Sequence, residues 1–379
     1  MIRKTNMIIT LMLLLVASGF VASCSSDDEV VEVRRTYEES PYNVTVIMSP
    51  SGPGDNGYND RILDGLSTYA VSQNKDVNIV IPDNIDEARS TYQQWLEAYR
   101  NTQVPSMLIL ASSVYDDMVK PTDTIGTNGR VLLFESHRTD LPERAMTFCI
   151  NRYGTSYLAG AMVSTRRAHV IAATSDNEQV NEAVQGFCDG FQAHHADDAQ
   201  CSVYYLADDY RGFNRQSRAR QLTDSLADVY DHQEIITPDM QLDLTSCYST
   251  YFPVAGSSNQ GVYNGVYTTG MQQAIGMDKD CADFCDNIPF SIDIAIDKLI
   301  EHYLTEWEAN RVLPQSAEFG MESGYINIAF STTWHTRNNF RQWDAYTTDK
   351  TPIPTDFWQR KCELYKAEAL TKEKEYEDK

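Results

Sequence analysis

Short apolar runs and amphipathic segments alternate along most of the chain. The apolar runs, bounded by glycine, proline or polar residues, predict buried strands. They lie at 44–48, 77–81, 107–111, 131–134, 170–173, 203–206, 252–255, 273–277 and 324–329. Apolar residues at helical spacing predict helices at 58–71, 86–100, 154–165, 178–193, 214–229 and 292–308. Strands interleaved with helices of this length predict an α/β protein whose doubly wound parallel sheets are covered on both faces.

The chain is too long for one ordinary core. Single cores stop growing at about 250–300 residues, so a chain of 379 residues is expected to form two domains. The strand–helix pattern falls into two blocks, 42–148 and 149–288, which we interpret as two lobes. Residues 365–379, rich in Lys and Glu, are predicted to form a solvated helical tail.

The N-terminus predicts export. Arg3 and Lys4 precede an apolar run over 7–23, which is typical of a signal peptide spanning residues 1–23. The alternatives are an ordinary signal that is cleaved nearby and a transmembrane helix. For a transmembrane helix the run is a little short, since a span takes about 20 residues, and it lacks stop-transfer charges.

The residues around Cys24 predict a lipid anchor. The sequence VASC at 21–24 resembles a bacterial lipobox, whose cysteine receives the lipid. The acidic stretch 25–29 resembles the export signal of Bacteroidetes lipoproteins, which implies an outer-membrane lipoprotein displayed on the surface, or otherwise one that faces the periplasm. Residues 24–41 are interpreted as a flexible tether, and a plain acidic tether is the alternative to an export signal.

Charge and cysteine content exclude several partners. A formal charge of −23 repels nucleic acid, so no nucleic-acid partner is expected. Cys281 and Cys285 are spaced as C-x3-C without a second pair, which is weak evidence for zinc. We therefore expect no metal and no cofactor. Besides Cys24 the chain has cysteines at 149, 188, 201, 247, 281, 285 and 362. Most of these seven are interpreted as core residues.

Five short segments carry a resemblance to one protein family. They are GDNGYND at 54–60, GTSYLAG at 154–160, GFCDGF at 186–191, YRGFN at 210–214 and GMDKD at 276–280. In this order they resemble motifs of the basic membrane protein family, whose members include purine-nucleoside receptor lipoproteins. The resemblance implies a substrate-binding protein of the type I periplasmic-binding-protein kind, with two lobes that close on a small molecule.

The resemblance also implies how the chain divides between the lobes. In such receptors the chain crosses three times between lobes, here near 148–150, 287–290 and 310–314. The first lobe then comprises 42–148 and 289–310, and the second comprises 149–288 and 311–330. Residues 331–379 form a C-terminal extension that ends in a helix.

Candidate ligand-binding residues follow the predicted strands, because ligands of α/β sheets lie at the carboxyl ends of strands. Tyr58 suits stacking on a flat ring, and Asp278 suits pairing with vicinal hydroxyls, as the matching Asp of the family does with ribose. The alternatives are helix capping for Asn59 and Asp60, and core packing for the aromatic residues. The candidate set is Asp55, Tyr58, Asn59, Asp60, Ser112, Glu135, Phe187, Phe213, Gly256, Ser257 and Asp278.

One departure from the family affects the ligand. The family carries a Lys after the Asp strand that helps to hold ribose, whereas residues 287–293 contain no Lys and Lys298 does not match its position. A purine nucleoside remains the leading prediction, and the alternatives are a sugar, a modified nucleoside or another flat metabolite.

Two other function classes are alternatives to a receptor. No Gly-x-Ser-x-Gly, Walker or His-Glu-x-x-His motif is present, so an enzyme is not expected, although a glycosidase carboxylate pair stays open. A glycan-binding surface is the third class, and its candidate aromatic residues are Tyr251, Phe252, Trp334, Trp343 and Trp358. As a receptor, the protein would pass its ligand to a permease or an outer-membrane transporter.

Overall fold

The computed structural model describes residues 44–231, 249–269, 272–285, 287–331 and 356–378. These residues belong to one unit, Pro41–Lys379. The predicted signal peptide, the tether and Cys24 lie outside the described residues, and so do Cys247, Trp334 and Trp343.

The elements alternate between strand and helix as the sequence pattern predicts. The strands are β1 (Val44–Met48), β2 (Val77–Val80), β3 (Ser106–Ala111), β4 (Gly129–Phe134), β5 (Ala145–Ile150), β6 (Arg167–Ala172), β7 (Gln200–Tyr205), β8 (Ser249–Val254), β9 (Gln273–Ala274), β10 (Phe290–Ile294), β11 (Ser316–Phe319) and β12 (Ile326–Phe330). The helices are α1 (Tyr58–Gln73), α2 (Ile85–Ala98), α3 (Tyr153–Met162), α4 (Glu178–His194), α5 (Gln216–Asp231), α6 (Asn259–Thr269), α7 (Ile296–Glu308) and α8 (Phe357–Glu377). Three short 3-10 helices cover Ser113–Met118, Tyr210–Asn214 and Gly256–Ser258.

The first lobe contains a parallel sheet in the order β11-β5-β4-β3-β1-β2. Successive residues of a strand face opposite sides, and both sides are covered. Val46 packs in a core with Ile62 of α1 and Leu299 of α7. Ile47 packs on the opposite side with Trp95 of α2. This explains why the strands read as continuous apolar runs in the sequence.

The second lobe is built around the parallel order β7-β6-β8-β9. An isolated bridge between Gly276 and Ser291 links it to the antiparallel pair β10–β12. Helices α3 and α4 cover one face, where Phe187 packs with Phe252. Helices α5 and α6 cover the other face, around Tyr251.

The chain passes between the lobes three times, and two passages differ in position from the prediction. The first passage follows β5, close to the predicted 148–150. The second lies between β10 and α7, because Phe290–Ile294 is a strand and the helix predicted from 292 begins at Ile296. The third follows β11, because Ser316–Phe319 pairs with β5 in the first sheet. The assignment of 311–330 to the second lobe is therefore wrong for β11.

Helix α8 packs onto α3, which corrects the prediction of a solvated tail at 365–379. Trp358, Cys362, Ala369 and Glu373 are buried on its inner face. No helix of the described ranges combines the length and apolarity that a membrane crossing requires.

Candidate functional site

A cavity lies between the two lobes at the carboxyl ends of the sheet strands. It contains about 790 Å³ of empty space, counted out to its open mouth. From the predicted set it is lined by Asp55, Tyr58, Asn59, Ser112, Glu135, Phe213, Gly256, Ser257 and Asp278. The position agrees with the rule for ligands of α/β sheets, while the binding role of these residues stays a prediction.

The loop before α1 forms part of the first-lobe wall, and its acidic side chains are hydrogen-bonded to the loop itself. The Asp55 carboxylate accepts from the backbone N–H of Gly57 and Asn59, each at 2.9 Å, and of Asp60 at 3.1 Å. It also accepts from the Asn59 amide at 2.9 Å. These bonds satisfy N–H groups that the first helical turn leaves unpaired, so Asp55 and Asn59 hold the loop in shape.

Asp60 lies outside the cavity lining, unlike the prediction. Its carboxylate accepts from the backbone N–H of Gly54 at 2.6 Å and of Asn56 at 2.7 Å. Both donors belong to the loop before α1 and not to the helix, so these contacts shape the loop. Gly54 has φ +93° and Asn56 has φ +49°, a left-handed backbone that the two bonds help to hold.

A buried ion pair joins the lobes at the base of the cavity. Arg152, which follows β5, binds the Glu135 carboxylate with two bonds of 2.8 and 3.0 Å. The Tyr58 hydroxyl donates to the same carboxylate at 2.8 Å. Burial, reinforced by the Glu135 charge, raises the pKa of Tyr58 well above its usual value. Tyr58 therefore stays a neutral donor, and the Glu135 charge is fully paired.

A second acidic side chain is hydrogen-bonded to the backbone at Arg152. Glu182 on α4 accepts from the backbone N–H of Arg152 at 2.8 Å and of Tyr153 at 3.1 Å. Burial raises the pKa of Glu182 to about 7. The contact fixes the first turn of α3 against α4, so the first passage between the lobes is held by side chains from both lobes.

Asp278, on the second-lobe wall, differs from these acids. The residue is only 7% exposed, and its carboxylate has no hydrogen-bond partner among the described residues. Burial, together with the nearby Asp55 charge, raises the pKa of Asp278 to about 7. Its backbone is left-handed, with φ +73°. A Cβ at Gly57 would lie 3.3 Å from the Asp278 Oδ2, so glycine there lets the Asp55 loop approach this carboxylate closely.

The two phenylalanines of the candidate set lie in different surroundings. Phe213 is partly buried and lines the cavity beside Gly256, which has φ +54°. Phe187 is fully buried and stacks on Phe252, with ring centroids 4.4 Å apart. Phe187 therefore lies in the core of the second lobe, and the prediction that it lines the binding site is wrong. Ser257 lines the cavity, but its hydroxyl donates to the Phe213 carbonyl at 2.9 Å.

Several cavity residues were missed by the sequence analysis. The polar ones are Ser49, Ser51, Arg152, Asn177, Gln179 and Tyr210. Ser49 and Ser51 directly follow β1, so the rule on strand ends could have found them. Nothing in the sequence pairs Arg152 with Glu135, because that contact depends on how the strands lie in the folded sheet.

Hydrogen bonds across the cavity show that the lobes contact each other. The Asn177 amide donates to the Ser113 hydroxyl at 3.0 Å, and the Gln179 amide donates to the Glu135 carbonyl at 2.9 Å. The Gln260 amide reaches the Asp55 carbonyl at 3.5 Å. The lobes thus meet on both sides of the cavity, which is the arrangement of a closed cleft.

Most acidic groups of the described cavity lining already have partners. Of the three carboxylates there, Asp55 accepts four loop donors and Glu135 is ion-paired. The Asp278 carboxylate has no hydrogen-bond partner among the described residues. Within the described ranges, no group of His, Cys, Asp and Glu is placed to hold a metal ion.

Comparison with known proteins supports the fold. No family model matches the chain, and no curated protein matches it in sequence. A solved structure of ABC transporter solute-binding proteins from Aeropyrum pernix K1 is similar at 13% identity, covers 88% of this chain and 90% of its own, and has a TM-score of 0.65. A transcriptional activator of the comK gene from Bacillus halodurans is similar at 16% identity over 80% and 95%, with a TM-score of 0.56.

A third similar structure is described as a complex with a ligand. It is a periplasmic binding protein/LacI transcriptional regulator from Alkaliphilus metalliredigens QYMF complexed with D-xylulofuranose, at 14% identity over 76% of this chain and 97% of its own, with a TM-score of 0.51. Together with the two parallel sheets and the three passages, these likenesses confirm the predicted two-lobed type I periplasmic-binding-protein fold.

Proposed function

We propose that this protein is a substrate-binding receptor of the basic membrane protein family, which captures a purine nucleoside between its lobes for uptake. The observation that carries the proposal is the Asp278 carboxylate, buried in the cleft without a hydrogen-bond partner among the described residues. Burial in the cleft penalises the ionised form of this carboxylate. A ligand that donates to it from inside the cleft would remove that cost and favour the closed state.

Vicinal hydroxyls match Asp278 best. A carboxylate has two oxygens and can accept one hydrogen bond from each of two neighbouring hydroxyls, an arrangement that ribose and many sugars offer. Arg152 is already bound to Glu135, so the described lining offers no unpaired cation to a phosphate or carboxylate. The ligand is therefore expected to be uncharged or cationic rather than anionic.

The apolar part of the lining favours a nucleoside over a simple sugar. Phe213, Val114, Val180 and Met277 line the cavity around the polar groups. Such surfaces suit a flat base, whose faces are apolar while its edge needs hydrogen bonds. Ser49, Ser112 and Asn177, from both lobes, carry the donors and acceptors for that edge.

A sugar is the second candidate, and two observations favour it. The family Lys that helps to hold ribose is absent from 287–293, where β10 forms instead. A similar structure is described as a complex with D-xylulofuranose. In either case Asp278 would receive the hydroxyls.

The proposed location rests on the N-terminus. Cys24 would carry the lipid, residues 24–41 would hold the lobes away from the membrane, and the acidic stretch 25–29 would direct the protein to the outer surface. The receptor would then deliver its ligand to an outer-membrane transporter, or to an ABC permease if it faces the periplasm.

A thermal-stability screen of residues 25–379 tests the proposal. Purine and pyrimidine nucleosides, free bases and simple sugars would be added one at a time. A ligand at one hundred times its dissociation constant should stabilise the protein by about 2.7 kcal/mol. Asp278→Ala should abolish the shift, whereas Asp283→Ala, which removes an exposed carboxylate outside the lining, should retain it.

Each outcome separates the alternatives. A shift with nucleosides alone supports the proposed ligand, and a shift with sugars alone replaces it with the second candidate. Mass spectrometry should recover the compound unchanged after prolonged incubation, because a receptor does not convert its ligand. Conversion of the compound, or a shift that Asp278→Ala leaves intact, would contradict the proposal.

A further inference from the structure

Two cysteines of the second lobe lie in sulfur–sulfur contact. Cys188 is on α4 and Cys201 is on β7, and their Sγ atoms are 3.2 Å apart. A disulfide requires about 2 Å between its sulfurs, with side chains that point toward each other. The two Sγ atoms are therefore about 1 Å farther apart than in a disulfide. Cys281, by contrast, lies against the Tyr263 hydroxyl and the backbone carbonyls of Met277 and Lys279.

The position of the pair is suited to a covalent link. In the second sheet, β7 is at the edge of the order β7-β6-β8-β9 and pairs with β6. Both cysteines are half-buried, so an oxidant can reach them more readily than the buried Cys149 or Cys362. A link between α4 and β7 would fasten an edge strand to the helix that covers it.

We propose that Cys188 and Cys201 form a disulfide bond in the exported protein. The proposal is independent of the ligand and depends on export, which the N-terminal segment predicts. Disulfides persist in the oxidising compartments outside the cytoplasm. The bond would close the short connection between the end of α4 and the start of β7.

The bond would form by thiol–disulfide exchange. One of the two thiols, as its thiolate, attacks the disulfide of an oxidised thiol–disulfide oxidoreductase, forming a mixed disulfide and releasing one thiolate of that catalyst. The other thiol of the pair then loses its proton to solvent and attacks the sulfur of the first, which releases the second thiolate. Two thiols of this chain are oxidised and one disulfide of the catalyst is reduced.

The bond would also stabilise one wall of the cleft. Helix α4 carries Gln179 and Val180 in its first turn, and both line the cavity. Fastening its C-terminal half to β7 restricts the unfolded chain and holds the helix against the sheet.

Peptide mapping tests the bond directly. The full chain would be produced in an exporting bacterium, quenched in acid, alkylated in denaturant with N-ethylmaleimide and digested without reduction. No Lys or Arg lies between Arg167 and Arg211, so trypsin places both cysteines on one peptide, 168–211. That peptide should carry no alkyl group, and cleavage before Asp189 and Asp197 should leave two fragments that separate only on reduction. Alkylation of both cysteines in the exported protein would overturn the proposal.

Two variants complete the test. In Cys201→Ser the remaining Cys188 should be alkylated, which shows that the reagent reaches it. Reduction should lower the melting temperature of the wild-type protein by roughly 5 °C. The Cys188→Ser/Cys201→Ser double variant should not respond to reductant. An equal response of both proteins would overturn the stabilising role of the bond.

Discussion

The two walls of the cleft use buried carboxylates in opposite ways. On the first-lobe wall, Asp55 accepts four donors of its own loop, and Glu135 is paired with Arg152 and Tyr58. On the second-lobe wall, Asp278 is as deeply buried but has no hydrogen-bond partner among the described residues. The comparison shows that burial alone does not mark a binding residue. A satisfied carboxylate builds the site, whereas an unsatisfied one is available to a ligand.

The largest expected effect concerns the ion pair between Glu135 and Arg152. Arg152→Ala leaves the Glu135 carboxylate buried without its cation, and breaking a buried pair in this way costs about 3–5 kcal/mol of stability. Urea unfolding should report this loss. The double variant Glu135→Gln/Arg152→Met, which removes both charges, should lose less than Arg152→Ala. A loss below about 1 kcal/mol in Arg152→Ala would show that the pair does not hold the lobes.

A smaller loss of stability is expected from a substitution at Asp55, and Asp60 in the same loop offers a matched control. Asp55→Asn weakens several buried hydrogen bonds to a charged acceptor, so we expect a loss of about 1–3 kcal/mol. Asp60→Asn, in the same loop, alters two bonds that are exposed to solvent and should cost less. The two variants would be compared in the same unfolding experiment, and equal losses would contradict the distinction between a buried anchor and an exposed one.

A third effect is a pH dependence of stability that comes from the second-lobe wall. The pKa of Asp278 is raised to about 7 in the folded protein, above its value near 4 in the unfolded chain. The folded state therefore binds more protons than the unfolded state between about pH 4 and pH 7, and stability falls as pH rises through that window. Glu182 and Glu373 shift in the same direction, also to about 7.

Asp278→Asn isolates the contribution of this one group. The stability of the variant relative to the wild type should increase from pH 4 to pH 7 and stay constant above it. Unfolding curves at several pH values measure this difference. A relative stability that does not change with pH would mean that Asp278 is not held in a buried, unpaired state.

Much of the fold could be predicted from the sequence, and the errors have physical causes. β3 and β4 are buried on both faces and read as continuous apolar runs, so their pattern is unambiguous. β11 has the sequence SAEF and is half-exposed at the sheet edge, so it gives no such signal. β10 has the sequence FSIDI and directly precedes an amphipathic helix, and this explains why the helix was predicted to start too early.

The site residues could be predicted only where their position in the sequence, directly after a strand, places them in the cleft. Asp278 and the loop before α1 follow strands, and the strand-end rule places them in the cleft. Phe187 and Phe213 look equivalent in the sequence, because each is an aromatic residue in a glycine-containing segment. Packing of α4 onto the second sheet buries Phe187, while the 3-10 helix Tyr210–Asn214 brings Phe213 to the cavity. Such differences depend on tertiary contacts that periodicity does not encode.

The most direct test of the account measures two properties of Asp278→Asn at pH 8, where the wild-type carboxylate is mostly ionised. The ligand-free variant should be more stable than the wild type, because an unpaired charge has been removed from the cleft. It should bind the ligand found in the screen at least tenfold more weakly, because charge-assisted hydrogen bonds are worth about 1.5–3 kcal/mol each. A variant that is less stable and binds with unchanged affinity would show that Asp278 supports the fold and does not contact the ligand.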